Sequence, residues 1–143
     1  MVLYAKDIVE TEFLSMPRDL EVLAAAKAMK ERRHGFVVVV SSVGRPEGIV
    51  TEWDLLARVV AEERDAAKVT LGDIMTPDLV YVDADDGIDK VAQIMAEKGI
   101  RRVLVLGKGQ VVGVITAKTI LVRLKDYVDN ISSLIAGAHA PPY

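Results

Sequence analysis

The chain of 143 residues carries a net charge of −3, is 51% hydrophobic and 27% charged, and contains no cysteine. This composition is typical of one packed globular domain, and it excludes disulfides, thiolate metal sites and a cysteine nucleophile. The acidic balance disfavours nucleic-acid binding, which requires clustered Lys and Arg. Because no apolar run reaches the roughly 20 residues of a membrane-spanning helix and no signal peptide is evident, we expect a cytoplasmic protein with no membrane contact.

The first half of the chain predicts the order β-α-β-β-α. A short extended segment, FLSM at 13–16, leads into a helix with apolar side chains at three- and four-residue spacing. The uninterrupted apolar run FVVVV at 36–40 is typical of a strand buried on both faces. A turn containing glycine leads to a second strand, EGIV at 47–50, and Thr51 then caps a second helix. The apolar positions of the first helix are Leu20, Leu23, Ala26 and Met29.

The second half repeats this order. A shift of 66 residues aligns Asp7 with Asp73 and Met29 with Met95, and after the second strand a shift of 65 aligns Thr51 with Thr116. The chain is therefore an internal duplication. We divide it into a first repeat at 5–62, a linker at 63–70, a second repeat at 71–127, and a helical extension with a flexible tail at 128–143.

The predicted fold class is α/β (α+β), with two β-α-β-β-α repeats packed as one body. A unit of roughly 60 residues buries too little surface to be stable alone, so the repeats should cover each other's sheets. We expect them to be related by an approximate two-fold axis, with equivalent segments facing each other across two clefts.

The last helix extends beyond the second repeat. Its apolar stripe is longer than one repeat requires, and an extra exposed stripe is typical of a subunit interface, so we predict a homodimer. The alternative is that this helix folds back on the core of its own chain. The stripe comprises Ile120, Leu121, Leu124, Val128, Ile131, Leu134 and Ile135.

The segment TEWD, from Thr51 to Asp54, has two interpretations. A Thr followed three residues later by an acid is a capping box, which satisfies free helix N–H groups without any further function. The second repeat keeps the cap at Thr116 but has Thr119 in place of the acid, so capping alone does not explain the difference. In the functional interpretation, Asp54 accepts hydrogen bonds from a vicinal diol such as ribose, beside a helix terminus that attracts an anion.

An arginine pair in the second repeat could supply the cation that this site needs, because the first repeat has none nearby. Arg101 and Arg102 precede the buried strand of the second repeat, where the first repeat has Gly35 and Phe36. A cleft across the two-fold axis would join the acid to the arginines as a diol acceptor and a phosphate clamp. The reciprocal cleft, with Thr116 and Thr119 facing Gly35 and Phe36, would have neither group. The alternative is that the arginines are a solvated pair at a strand edge.

The duplicated unit, the IMTPDLVYV opening, the GIRRVLVL strand entry and the Gly-x-x-Thr-x-x-Asp ending resemble a tandem pair of CBS domains, or Bateman module, over about residues 5–125. The resemblance implies a regulatory module that binds AMP, ADP, ATP or S-adenosylmethionine between its repeats. It also implies that an acid and a neighbouring Thr bind the ribose, that basic residues bind the phosphate, and that backbone groups contact the base. The residues so implied are Thr51, Asp54, Pro77, Asp78, Leu79, Arg101 and Arg102, with walls from Ile49, Val50 and Ile100, and with Lys118 as a further phosphate contact or a solvated helix residue.

The predicted function is a stand-alone, non-enzymatic sensor that binds one adenine nucleotide per chain, AMP foremost, with ADP or ATP as variants. The alternatives are a ligand-free dimerisation or adaptor module, and S-adenosylmethionine binding in the same cleft. The sequence lacks a nucleophile–base constellation, a P-loop and a metal-ligand cluster, so no catalytic residue, obligatory cofactor or metal is expected. The module contains no effector domain, and the protein it regulates would be a separate, unidentified chain.

Overall fold

The computed structural model describes residues 3–138, which form two units, each with one three-stranded sheet. In each sheet the first strand pairs parallel with the second, and the second pairs antiparallel with the third. The α/β fold and its internal repetition are therefore confirmed. The strands are β1 (Leu14–Met16), β2 (Phe36–Val40) and β3 (Pro46–Thr51) in the first unit, and β4 (Tyr81–Asp83), β5 (Arg102–Gly107) and β6 (Gln110–Thr116) in the second.

Six α-helices flank the sheets within residues 3–138. None of them is both long enough and apolar enough to cross a membrane. Residues 139–143 of the predicted tail lie outside the described residues. The helices are α1 (Ala5–Ile8), α2 (Val22–Arg32), α3 (Glu52–Leu55), which continues as a π-helical turn (Leu56–Val60), α4 (Leu71–Ile74), α5 (Ile88–Lys98) and α6 (Ala117–Ala138).

The face that helix α2 buries overlaps only in part with the predicted one. Its buried side chains are Val22, Ala25 and Met29, of which Met29 was predicted, and Leu20, which precedes the helix, packs against the same core. The buried set also has three- and four-residue spacing. Since this stretch is rich in alanine, two overlapping apolar faces satisfy the same pattern, and packing against the sheet selects one of them.

The short helices α1 and α4 are exchanged between the two units. Ala5 and Ile8 of α1 belong to the core of the second unit. Leu71 and Ile74 of α4, each 0% exposed, belong to the core of the first unit. Each repeat therefore completes the hydrophobic core of the other.

The segments that follow these exchanged helices run beside the partner unit's sheet. After α1, the Glu10 N–H donates to the carbonyl oxygen of Val114 in β6 at 2.9 Å. After α4, Thr76 forms the equivalent antiparallel bridge to Ile49 in β3. We call these the crossing segments, residues 9–13 and 75–80. They place side chains of one repeat beside the helix terminus of the other.

A third cluster joins the two sheets face to face. It contains Phe36 and Val38 of β2 together with Leu104 and Val114 of the second unit. Because side chains alternate along a strand, Val37 and Val39 point instead into the core of the first unit. The prediction that the FVVVV strand is buried on both faces is confirmed.

The crossing segments approach the sheets so closely that glycine is required at Gly113. A β-carbon there would collide with the carbonyl oxygen of Glu10, which is held in the bridge to Val114. Gly113→Ala should lower the free energy of unfolding by about 1–3 kcal/mol, as overpacking does in well-packed cores. Urea denaturation measures this change.

Gly48, the equivalent residue of the first repeat, is the matched control. A β-carbon at Gly48 would meet the Met75 sulfur at 2.6 Å, which is a flexible side chain and not backbone. Gly48→Ala should therefore destabilise the protein less than Gly113→Ala. Equal losses of unfolding free energy in the two variants would contradict this difference, in which backbone blocks a β-carbon at Gly113 and a flexible side chain blocks one at Gly48.

Candidate functional site

A cavity of about 200 Å3 lies between the two units, and we call it the first cleft. One wall comes from β3 and α3 of the first repeat, and the other from the second crossing segment and the entry to β5. The acid of the first repeat and an arginine of the second therefore line the same cavity. The lining residues are Ile49, Thr51, Asp54, Thr76, Asp78, Leu79, Val80, Ile100, Arg102 and Leu104.

The Asp54 carboxylate is held rigidly at this cleft. It is only 6% exposed, and its Oδ2 accepts hydrogen bonds from the Thr51 N–H at 2.8 Å and the Thr51 hydroxyl at 3.2 Å. The capping box is thus present, and the same carboxylate also lines the cavity. The hydroxyl of Thr51 is engaged with Asp54, so its role is to position the acid.

A cation that sequence reasoning missed accompanies Asp54. The Nε of Arg58 lies 3.6 Å from the Asp54 Oδ1, and its Nη1 donates to the carbonyl oxygen of Ile74 at 2.9 Å. The expectation that the first repeat has no cation near its acid is therefore wrong. The signal was available, because residues four apart on a helix are neighbours. Arg58 offsets the charge of Asp54 and so reduces its repulsion of an anion.

Arg102 is the basic side chain that the second repeat contributes to the first cleft. Its Nη2 lies 3.7 Å from Oε1 of Glu52, and its guanidinium carbon lies 5.1 Å from the centre of the Phe36 ring. Stacking on an aromatic face orients the planar guanidinium. Glu52 is mostly exposed, so an anionic ligand can compete with it for Arg102.

Four residues implied by the family resemblance are not in the lining of the first cleft. Val50 is 0% exposed and belongs to the core, because side chains alternate along β3 and Ile49 takes the position toward the cleft. Arg101 and Pro77 are exposed outside the lining. Lys118 lines a different cavity. Arg102 is thus the one basic side chain in the lining, as far as residues 3–138 are concerned.

The reciprocal cavity, which we call the second cleft, has a volume of about 510 Å3. It brings Thr116 and Thr119 together with Gly35 and Phe36, as the two-fold arrangement predicts. The expectation that it contains neither an acid nor a cation is wrong. Glu10 from the first crossing segment lines it, together with the basic side chains Arg33, Arg102, Lys118 and Arg123.

Comparison with known proteins gives a family match over most of the chain. The CBS domain family model matches twice, at residues 5–61 and 71–126. An uncharacterized protein of Methanopyrus kandleri is 36% identical over 97 residues, which is 66% of this chain and 50% of that protein. This chain therefore spans about half the length of that relative. Hypoxic response protein 1 of Mycobacterium tuberculosis is 27% identical over 123 residues, 86% of each chain.

A solved structure with the same architecture contains ligands. It is the CBS domain pair of protein MJ0100 in complex with 5′-methylthioadenosine and S-adenosyl-L-methionine. The two structures superpose with a TM-score of 0.78 at 26% sequence identity, covering 89% of this chain and 99% of that one.

Proposed function

The chain belongs to the CBS domain family, and we propose that it is a non-catalytic regulatory module that binds one adenine nucleotide, AMP, in the first cleft. The observation that carries the proposal is that Asp54 and Arg102, from opposite repeats, line one cavity. The complex of the MJ0100 domain pair with adenosine-containing ligands supports the choice of ligand class.

The ribose of the ligand is assigned to Asp54. One oxygen of this buried carboxylate already accepts two hydrogen bonds from Thr51, while the other faces Arg58 at 3.6 Å. Oδ2 is thus fully used, whereas Oδ1 accepts no hydrogen bond from Thr51 and has lone pairs that can accept the hydroxyls of a ribose. Because the side chain is held in place before the ligand arrives, little conformational entropy is lost on binding.

The phosphate is assigned to Arg102 and the base to the apolar part of the cleft. A guanidinium offers paired N–H donors that match phosphate oxygens. Ile49, Leu79 and Ile100 provide apolar surface for the faces of an adenine ring. The backbone of the second crossing segment lies alongside, where its polar groups can contact the edge of the base.

Substitution of the two central residues tests this assignment. Asp54→Asn keeps the capping geometry but removes the charge, and Arg102→Ala removes the guanidinium. A hydrogen bond to a charged group contributes about 1.5–3 kcal/mol, so each variant should weaken AMP binding by roughly tenfold to a hundredfold. Isothermal titration calorimetry measures the loss.

Arg101→Ala is the matched control for Arg102→Ala, because Arg101 is adjacent but exposed outside the cleft lining. It should bind AMP like the unsubstituted protein. Absence of heat and of thermal stabilisation at millimolar AMP would refute nucleotide binding and favour a ligand-free dimerisation or adaptor module. Equal losses for the two arginine variants would refute the assignment of the phosphate.

S-adenosylmethionine is a second candidate for the same cleft. It shares the ribose that Asp54 would bind, and the acidic residue Asp78 in the cleft lining favours a ligand that also carries positive charge. Titration of AMP, ADP, ATP and S-adenosylmethionine against the same protein separates the candidates. Tighter binding of S-adenosylmethionine than of AMP would make S-adenosylmethionine the proposed ligand and would leave the proposed binding site unchanged.

Glu52 should compete with the ligand phosphate for the Arg102 guanidinium. Its carboxylate lies 3.7 Å from the Arg102 guanidinium and is exposed, and such surface ion pairs contribute about 0.2–1 kcal/mol. Glu52→Gln should therefore tighten AMP binding up to about fivefold. Asp85→Asn is the control, since it removes an acid from the exposed pair with Lys6, outside both clefts. Weaker binding by the Glu52 variant would contradict the competition.

We also propose that two chains associate through α6. Ala117 and Ile120 at its start pack against the core of the second unit, but every residue from Leu121 to Ala138 is exposed, so the rest of the helix does not fold back on the core. Its exposed apolar residues follow the alternating three- and four-residue spacing of a coiled coil. The other helices within residues 3–138 are at most half as long, so a second copy of α6 is the matching partner. The exposed apolar residues with this spacing are Leu121, Leu124, Val128, Ile131 and Ile135.

A charge placed in this stripe should dissociate the dimer. Val128 is 58% exposed in the single chain, so Val128→Glu should leave the fold intact and yield monomers in analytical ultracentrifugation. Ser133→Glu, on the opposite side of the same helix, should remain dimeric. A monomeric unsubstituted protein, or a dimer insensitive to Val128→Glu, would contradict this interface.

A further inference from the structure

The side chain of Arg58 links the two walls of the first cleft without lining it. Its Nε lies 3.6 Å from the Asp54 Oδ1, on the wall that the first repeat supplies. Its Nη1 donates to the carbonyl oxygen of Ile74, the last residue of α4, at 2.9 Å, and lies 3.5 Å from that of Met75. Arg58 is not among the lining residues of the cleft. One guanidinium therefore joins the helix that carries the acid to the exchanged helix of the other repeat.

The bond to Ile74 acts where the second wall of the cleft begins. The last carbonyl groups of a helix have no partner within the helix, and Arg58 supplies one to Ile74. The second crossing segment starts at the next residue and is bonded to β3 in both directions between Thr76 and Ile49, at 2.9 and 3.0 Å. Four residues of this segment line the first cleft. Arg58 thus anchors the end of the segment from which this wall is built.

The helix is widened at Arg58. Leu56–Val60 form a π-helical turn, and the Ala61 N–H donates to the carbonyl oxygen five residues before it at 2.8 Å. Single π-helical turns are frequent at functional sites. The equivalent arginine of the second repeat, Arg123, lies in the continuous helix α6 and has Thr119 four residues before it, in place of an acid. The widened turn and the paired acid therefore occur together in the first repeat.

The contact between Arg58 and Asp54 leaves the acid available to a ligand. Charge-assisted hydrogen bonds between nitrogen and oxygen are about 2.7–2.9 Å long, whereas the Arg58 Nε lies 3.6 Å from Oδ1. Oδ1 therefore attracts the guanidinium and still has lone pairs for a ribose hydroxyl. Arg58 can keep its bond to Ile74 while the ribose binds.

We propose that Arg58 is a positioning residue, which sets the spacing between the acid that binds the ribose and the wall that contacts the base. This role rests on the proposed nucleotide site. A glycosidic bond fixes the distance between a ribose and its base, so a site that binds both groups must hold its two walls at one spacing. The planar fork of an arginine suits this task, because its nitrogens can bond two groups at once. Without Arg58 the second wall would have to be ordered when the ligand binds, which lowers affinity.

Amide hydrogen exchange of the ligand-free full chain, measured by NMR, tests the positioning. Arg58→Met removes the donors and keeps a long apolar stem, so the Thr76 amide should exchange about fivefold faster, as expected for the loss of one hydrogen bond. The Glu10 amide, in the equivalent bridge to Val114, should exchange at an unchanged rate. Arg123→Met is the matched control and should leave exchange at Thr76 unchanged.

Titration calorimetry with AMP separates positioning from a simple effect of charge. Arg58→Met should weaken AMP binding roughly tenfold. Arg58→Lys keeps a positive charge beside Asp54, but a single ammonium does not replace the fork, so this variant should also bind AMP more weakly than the unsubstituted protein. Arg123→Met should bind AMP with unchanged affinity.

Three results would overturn the proposal. The first is unchanged exchange at Thr76 in Arg58→Met. The second is equally faster exchange at Thr76 and Glu10, which would show a general loss of stability. The third is full AMP affinity in Arg58→Lys, which would show that Arg58 supplies charge alone. Absence of AMP binding by the unsubstituted protein would refute the nucleotide proposal instead, and selectively faster exchange at Thr76 would then still support Arg58 as the residue that holds this wall.

Discussion

Neither unit of this protein can complete its own hydrophobic core. Leu71 and Ile74 come from the second repeat but fill the core of the first, and Ala5 and Ile8 do the reverse. Separation of the units would expose these side chains to water at a cost of about 1.5–3 kcal/mol for each large apolar residue. The exchange of α1 and α4 therefore holds the two sheets in one arrangement, on which both clefts depend.

The exchange also determines what lines the clefts. Each exchanged helix is followed by a crossing segment that bonds to the last strand of the other sheet, at Ile49 or at Val114. That strand ends where a helix begins, so the crossing segment lies beside a helix terminus of the opposite repeat. Thr76 thereby reaches the first cleft and Glu10 the second. A duplicated chain in this way produces two clefts that share geometry but differ in chemistry.

Much of this arrangement could be predicted from the sequence. The repeat, the doubly buried strands and the presence of Asp54 and Arg102 in one cleft follow from periodicity and from the two-fold relation between equivalent segments. Contacts that follow from the regular period of a helix, a strand or a repeat can be predicted from a sequence. The Asp54–Arg58 pair is also of this kind, since it depends only on helical spacing.

The features that could not be predicted depend on contacts between distant segments. The exchange of α1 and α4 leaves no local signal, because an apolar residue such as Ile8 suits either core equally well. Glu10 looks like an ordinary surface acid until the crossing segment brings it within 2.6 Å of Thr119, more than a hundred residues away. The buried face of α2 was ambiguous for a related reason, since only packing distinguishes two apolar faces that overlap.

The central claim is that opposite repeats bind one ligand together, with the acid from the first and the guanidinium from the second. A crystal structure of the full chain with AMP tests it most directly. We expect the ribose hydroxyls within hydrogen-bond distance of the Asp54 carboxylate and the phosphate of the same molecule on the Arg102 guanidinium. AMP bound on another surface, or in the first cleft with its ribose away from Asp54, would contradict the account.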